Sequence, residues 1–216
     1  MIRKDQLKER MTAIHTQTLK FEAPNRGEET ARADLYGLLA GLFYGPPSQD
    51  LLDAIAQTPS QGEGVLQQAW NDLAATCEEA DAQKVRDEYE ALFIGVGKPE
   101  IMLYASYYLS GFLMEKPLAA LRDDLGALAL QRSESMPESE DHVSALCEVM
   151  RYLIESEDPA QNSLATQKRF FSTHLQPWAG EMCDTIMRHP QAPFYAEVAQ
   201  LAKHFFEVEM QAFDMA

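Results

Sequence analysis

The sequence predicts an all-α fold, a single helical bundle of about ten helices, and three observations carry that reading. Ala and Leu number 28 and 24, whereas Val and Ile number only 7 each. Helices favour Ala, Leu, Met and Glu and strands favour β-branched side chains, so this composition argues against a sheet. Apolar residues recur at helical spacing from end to end, with glycines and prolines placed between the runs. The chain of 216 residues is 46% apolar, which is enough for one domain with a true core.

The elements follow in order. Leu7, Met11, Ile14 and Leu19 mark a weakly amphipathic first segment, and the polar stretch after it is read as a linker, so residues 1–28 form an N-terminal extension. Residues 29–216 then form the helical domain. Leu35, Leu38, Leu39, Leu42 and Phe43 lie on one helix face, stopped by Gly45-Pro46-Pro47. Ser48 can cap a short helix through Ile55, and Val65–Cys77 and Ala82–Phe93 are two more helices with a turn near Asp81. Pro117 suits the first turn of a helix through Leu130. Val143, Leu146, Cys147, Met150, Leu153 and Ile154 make a further buried face. Asp158-Pro159 reads as an N-cap and first-turn proline opening a helix that carries Phe170 and Phe171. Trp178–Met187 and Phe194–Phe213 complete the series.

Charge limits the partners. With 18 basic and 34 acidic side chains the formal net charge is −16, which disfavours nucleic acid as a ligand. Residues 1–32 are net basic, no Lys or Arg occurs from Ala33 to Gln83, and Glu134–Asp158 carries eight acids against Arg151 alone. Such a field keeps a protein in solution and also attracts basic peptides. Cys77, Cys147 and Cys183 are too few and too far apart for a disulfide framework or zinc knuckle. Neither a signal-peptide h-region nor an apolar stretch of about 20 residues is present, so the expected location is cytoplasmic, without stable membrane insertion.

Familiar enzyme signatures fail. Gly95-Val96-Gly97-Lys98-Pro99 lacks the distal glycine and the Ser or Thr of a phosphate loop. No histidine has Glu three residues before it, as a di-iron bundle requires, and there is no nucleophile elbow. Neither catalysis nor a resident cofactor or metal is expected.

Two segments stand out. The first holds Tyr89, Leu92, Phe93, Gly95, Gly97 and Pro99, then Tyr104, Ser106 and Tyr108; the second is Glu138-Ser139-Glu140-Asp141-His142. With Phe170, Phe171, His174, Leu175, Pro177 and Trp178 further on, they resemble the TorD/DmsD-like family of chaperones that mature molybdenum-cofactor enzymes. The resemblance runs from about Ala31 to Glu209. It departs from the family pattern at Ser139, where that pattern has proline, at Tyr104, where some members have Trp, and at Leu103, a position that is often proline. It implies an all-α chaperone that binds the twin-arginine signal peptide, or the apo form, of a molybdopterin-dependent oxidoreductase. The precursor is then held until its cofactor is inserted. The resemblance also implies a homodimer as an available state, since members of the family can exchange helices.

The candidate peptide-binding residues are Tyr104, Ser106, Tyr108, Glu138, Glu140, Asp141 and His142. Carboxylates bind guanidinium groups through bidentate, charge-assisted hydrogen bonds. Exposed ion pairs contribute only ~0.2–1 kcal/mol each, whereas micromolar binding needs about −8 kcal/mol. Charge therefore orients such a peptide, and apolar burial must supply most of the affinity; Tyr104, Tyr107, Tyr108, Leu109 and Phe112 are the nearest supply. The local alternatives are plain. Ser135-Met136-Pro137-Glu138 fits a capping box, His142 fits a hydrogen-bonded structural histidine, and the glycines and Pro99 fit a turn. A metal- or nucleotide-dependent enzyme using Glu138, Asp141 and His142 is the second functional reading. If the acids bind peptide, reversing the charge of Glu138 and Asp141 together should weaken binding and leave the fold intact.

Overall fold

The computed structural model describes residues 27–58, 60, 63–95, 97–133 and 136–215, so the amphipathic segment around Leu7–Leu19 and the Ser135 end of the capping box lie outside the described residues. The fold is all-α: ten α-helices and no strand occur among the described residues.

Helix α1 (Glu28–Tyr44) is central. Leu38, Leu39, Leu42 and Phe43 are fully buried as their spacing predicts, but so are Tyr36 and Ala40, so α1 is enclosed on most of its circumference. It packs chiefly on α7 (Val143–Glu155). Gly37 permits the close approach: a Cβ there would lie 2.9 Å from Nη1 of Arg151. The predicted face of α7, from Val143 to Ile154, is buried throughout.

After the break at Gly45–Pro47, Ser48 caps α2 (Gln49–Ala56) by accepting from the Leu51 amide. Helix α3 (Val65–Glu79) packs on α2 and on the long last helix, α10 (Pro193–Met215). Asp81 caps α4 (Ala82–Tyr89), which continues as a π-helical turn over Glu90–Ile94. The turn stacks Tyr89 and Phe93 edge-to-face at 5.2 Å, and Tyr195 of α10 closes the triad at 5.0 Å from Phe93. Gly95 then turns the chain at φ 61°, where a Cβ would meet the Lys98 carbonyl at 2.5 Å. Here the glycines shape a turn, as expected.

Short α5 (Ala105–Ser110) and α6 (Lys116–Ala127) lead to α7; α8 (Leu164–His174), α9 (Ala179–Met187) and α10 finish the bundle. Helix α6 ends at Ala127, short of the expected Leu130, and the start of α8 differs most from the reading of the sequence. Asp158 accepts from the Ala160 amide but opens only a turn, and α8 starts six residues later with Ser163 as its cap. The Asn162 amide donates to the carbonyls of Ile154 and Ser156 at the end of α7, so that residue serves the preceding helix.

Two long-range clasps hold the helices in register. Glu88 of α4 accepts from the Phe194 and Tyr195 amides at the start of α10, satisfying donors that a helix start leaves open. Burial raises the pKa of the Glu88 carboxyl, opposed by those two hydrogen bonds. Arg32 of α1 grips Glu209 of α10 through Nε and Nη2, both at 2.7 Å, and Tyr36 donates its hydroxyl to the same carboxylate at 3.0 Å. Burial alone would lower the Arg32 pKa, but the hydrogen bond and charge of Glu209 outweigh it, so the guanidinium stays charged.

Candidate functional site

The two motif segments meet in space although 34 residues separate Tyr104 from Glu138. Residues 103–105 and 141–143 pair as a single antiparallel bridge. Ala105 N–H donates to the Asp141 carbonyl at 3.0 Å and Val143 N–H to the Leu103 carbonyl at 2.9 Å. The bridge sets the start of α5 beside the start of α7.

Asp141 sits at this junction, 1% exposed. Its Oδ2 accepts from the Ser106 amide at 2.9 Å and the Ser106 hydroxyl at 2.5 Å, and its Oδ1 accepts from the Ser139 hydroxyl at 2.5 Å. The carboxylate thus caps α5 from another part of the chain, near the positive end of the helix. Both oxygens are occupied inside the protein, and Ser106 is fully buried with it.

His142 is the N-cap of α7. Nδ1 accepts from the Ser144 amide at 3.2 Å, which places the ring proton on Nε2, and the Tyr104 ring meets the imidazole edge-to-face at 5.0 Å. Burial lowers the His142 pKa from 6.5 to about 4, against the opposing charges of Glu138 and Asp141. Between those values the unfolded chain binds a proton that the folded chain refuses, so stability falls as pH drops from about 6.5 through about 4. The expected loss is up to about 3 kcal/mol at the acid end. His142→Asn keeps a cap acceptor and cannot titrate there. Denaturant melts at pH 7, 5.5 and 4.5 should show the wild type losing that much more than the variant; parallel losses would place the proton elsewhere.

Tyr108 is a packing residue. Its ring stacks on buried Trp178 at 5.4 Å and its hydroxyl donates to the Met102 carbonyl at 3.0 Å. The groups left at the rim are Tyr104, Glu138 and Glu140. The half-buried Tyr104 donates its hydroxyl to Oε2 of Glu138, and burial together with that hydrogen bond raises its pKa. Glu140 holds Arg122 through Nη2 at 2.9 Å and Arg132 through Nε at 3.8 Å. Burial would raise the Glu140 pKa, but the Arg122 hydrogen bond and both guanidinium charges lower it on balance. The sequence reading missed Arg122 and Arg132, whose pairing with Glu140 depends on the path of the connection between α6 and α7 and has no helical spacing to mark it.

The family model described as nitrate reductase delta subunit matches residues 63–184, more than half of the chain and both motif segments. The chain belongs to this family of TorD/DmsD-like chaperones. It is 26% identical over 205 residues to the chaperone protein TorD of Vibrio cholerae, covering 85% of this chain and 92% of that protein. A second TorD, from Actinobacillus pleuropneumoniae, is 26% identical over 179 residues, covering 82% and 79%. A Haemophilus influenzae protein assigned as the Tat proofreading chaperone DmsD is 25% identical over 177 residues, covering 77% and 84%. A crystal structure from Archaeoglobus fulgidus, assigned as a redox enzyme maturation protein, shares the fold. Its TM-score is 0.55 at 20% identity, with 87% of this chain and 99% of that one covered.

The relatives of this TorD/DmsD-like protein are named as chaperones and not as enzymes, and the enzyme reading of Glu138, Asp141 and His142 has no support among them. The geometry agrees with a non-catalytic role, since Asp141 and His142 are committed to helix caps. Among the described residues no helix is long and apolar enough to cross a membrane.

Proposed function

We propose that this molybdoenzyme maturation chaperone works in the cytoplasm, where it binds the twin-arginine signal peptide and the precursor of a molybdopterin-dependent oxidoreductase. It keeps the precursor from export until the cofactor is inserted. The observation that supports this reading is the junction at the bridge, where the Tyr104 hydroxyl meets the Glu138 carboxylate and the neighbouring Glu140 carboxylate already holds guanidinium groups. The names of the TorD and DmsD relatives support the same reading.

Each residue then has a distinct part. Glu138 offers a guanidinium its second oxygen, which has no hydrogen bond among the described residues, while Tyr104 holds the first. Glu140 is already matched to guanidinium groups by Arg122 and Arg132, so an incoming arginine exchanges with one of them. Ser106, Asp141 and His142 position the rim from beneath, and Tyr108 anchors α5 on Trp178.

Calorimetric titration with a synthetic twin-arginine signal peptide, beside a twin-lysine control, tests the proposal. Micromolar binding that weakens about ten-fold with the control is expected, because lysine cannot form the bidentate contact. Failure to bind either peptide would refute the peptide reading.

A further inference from the structure

The α5–α6 connection turns apolar side chains outward. Phe112 and Met114 are 70% and 77% exposed, and Leu109 and Leu113 are each 43% exposed. This is not a fraying loop. Gly111 N–H donates to the Tyr107 carbonyl at 2.8 Å, the Ser110 hydroxyl donates to the Ser106 carbonyl at 2.6 Å, and Met114 N–H donates to the Ser106 hydroxyl at 3.3 Å. Met114 also adopts φ 60°, a left-handed conformation that costs a side-chain-bearing residue energy. The hydrogen bonds therefore hold the loop in a strained shape whose apolar side chains face solvent.

The same Ser106 hydroxyl that holds Met114 donates to Asp141, so the apolar loop is tied to the buried carboxylate that lies beneath the acidic rim. We propose that the loop formed by Leu109, Phe112, Leu113 and Met114 is the docking surface for the apolar stretch that follows the arginine pair of the client signal peptide. This rests on the peptide-binding reading above and assigns it a second subsite.

Area and charge select this occupant. Four partly exposed side chains offer on the order of a few hundred Å² of apolar surface, which suits a short peptide and falls short of the ~1,000 Å² that a stable protein interface needs. A net charge of −16 on each copy opposes self-association and favours a cationic ligand. A peptide with two arginines followed at once by apolar residues satisfies both the rim and the loop.

The test uses the full chain and the variant Phe112→Ser/Met114→Ser, with thermal melts to verify folding. Two peptides serve as probes: a synthetic twin-arginine signal peptide, and the same peptide with its apolar leucines replaced by serine. The wild type should bind the first peptide roughly ten-fold more tightly than the variant does, and the variant should scarcely distinguish the two. Independently of any variant, a photo-reactive group in the apolar stretch should cross-link to residues 109–114. Binding to wild type that the variant retains within about two-fold, with cross-links elsewhere, would overturn this subsite and leave the peptide reading standing. No binding to wild type would overturn both. A sedimenting dimer that the variant abolishes would overturn it by assigning the loop to a second copy of the chain.

Discussion

Arg32→Ala is expected to lower stability by about 3–5 kcal/mol, because it strands the Glu209 carboxylate in the interior. Glu209 is 1% exposed and draws its compensation from the two guanidinium contacts and the Tyr36 hydroxyl. For a domain of this size that loss corresponds to a fall in Tm of roughly 10 °C. The double variant Arg32→Met/Glu209→Gln removes both charges and leaves Tyr36 an acceptor, so it should recover most of the loss. Thermal and urea melts of the three proteins test this. A single variant within 1 kcal/mol of wild type would mean that water enters the seam between α1 and α10 and solvates the carboxylate.

Asp141→Ala is the second large effect. It leaves the Ser106 amide, the Ser106 hydroxyl and the Ser139 hydroxyl without their acceptor. Hydrogen bonds to a charged group contribute about 1.5–3 kcal/mol each, so a loss of at least ~3 kcal/mol is expected, with α5 loosened. Asp141→Asn should cost only about 1 kcal/mol, since Oδ1 can take both Ser106 donors and the amide can donate to Ser139. Glu138→Lys should leave the melting curve within about 1 kcal/mol of wild type and still weaken peptide binding, because its carboxylate faces the rim. The expectation from sequence that both acids could be reversed without harm to the fold therefore separates: it is kept for Glu138 and withdrawn for Asp141. An Asp141→Ala protein that melts like wild type yet fails to bind peptide would return the carboxylate to the binding surface.

The motif pattern Tyr89-x-x-Leu92-Phe93 followed by Gly95 was readable, but its meaning needed the fold. Tyr89 and Phe93 pack on Tyr195, and the tyrosine hydroxyl donates to the Tyr44 carbonyl at 2.8 Å. The exposed loop was half readable. Leu109 and Phe112 stood out as apolar residues near the acids, yet nothing local separates them from Ile101 and Leu103, which are buried at 2%. Asp158-Pro159 misled for a related reason: the pair is a good helix start, but Asn162 is bonded back to the end of α7 and the helix begins at Leu164, capped by Ser163.

By itself, the sequence determined what depends on neighbours within one helical turn or one loop. The helix class, the buried faces of α1 and α7, the breaks at Gly45–Pro47 and Gly95, the cap at Ser48 and the turn near Asp81 all belong to that set. Periodicity, propensity and capping act over three or four residues, so the linear order of side chains contains them. Tertiary structure decided which polar groups meet across the chain. Arg32 finds Glu209 at a separation of 177 residues, Glu88 finds the start of α10, and Asp141 reaches Ser106 and not the solvent. A buried charge must have a partner, but which one it has depends on how the helices pack, and no local pattern encodes that.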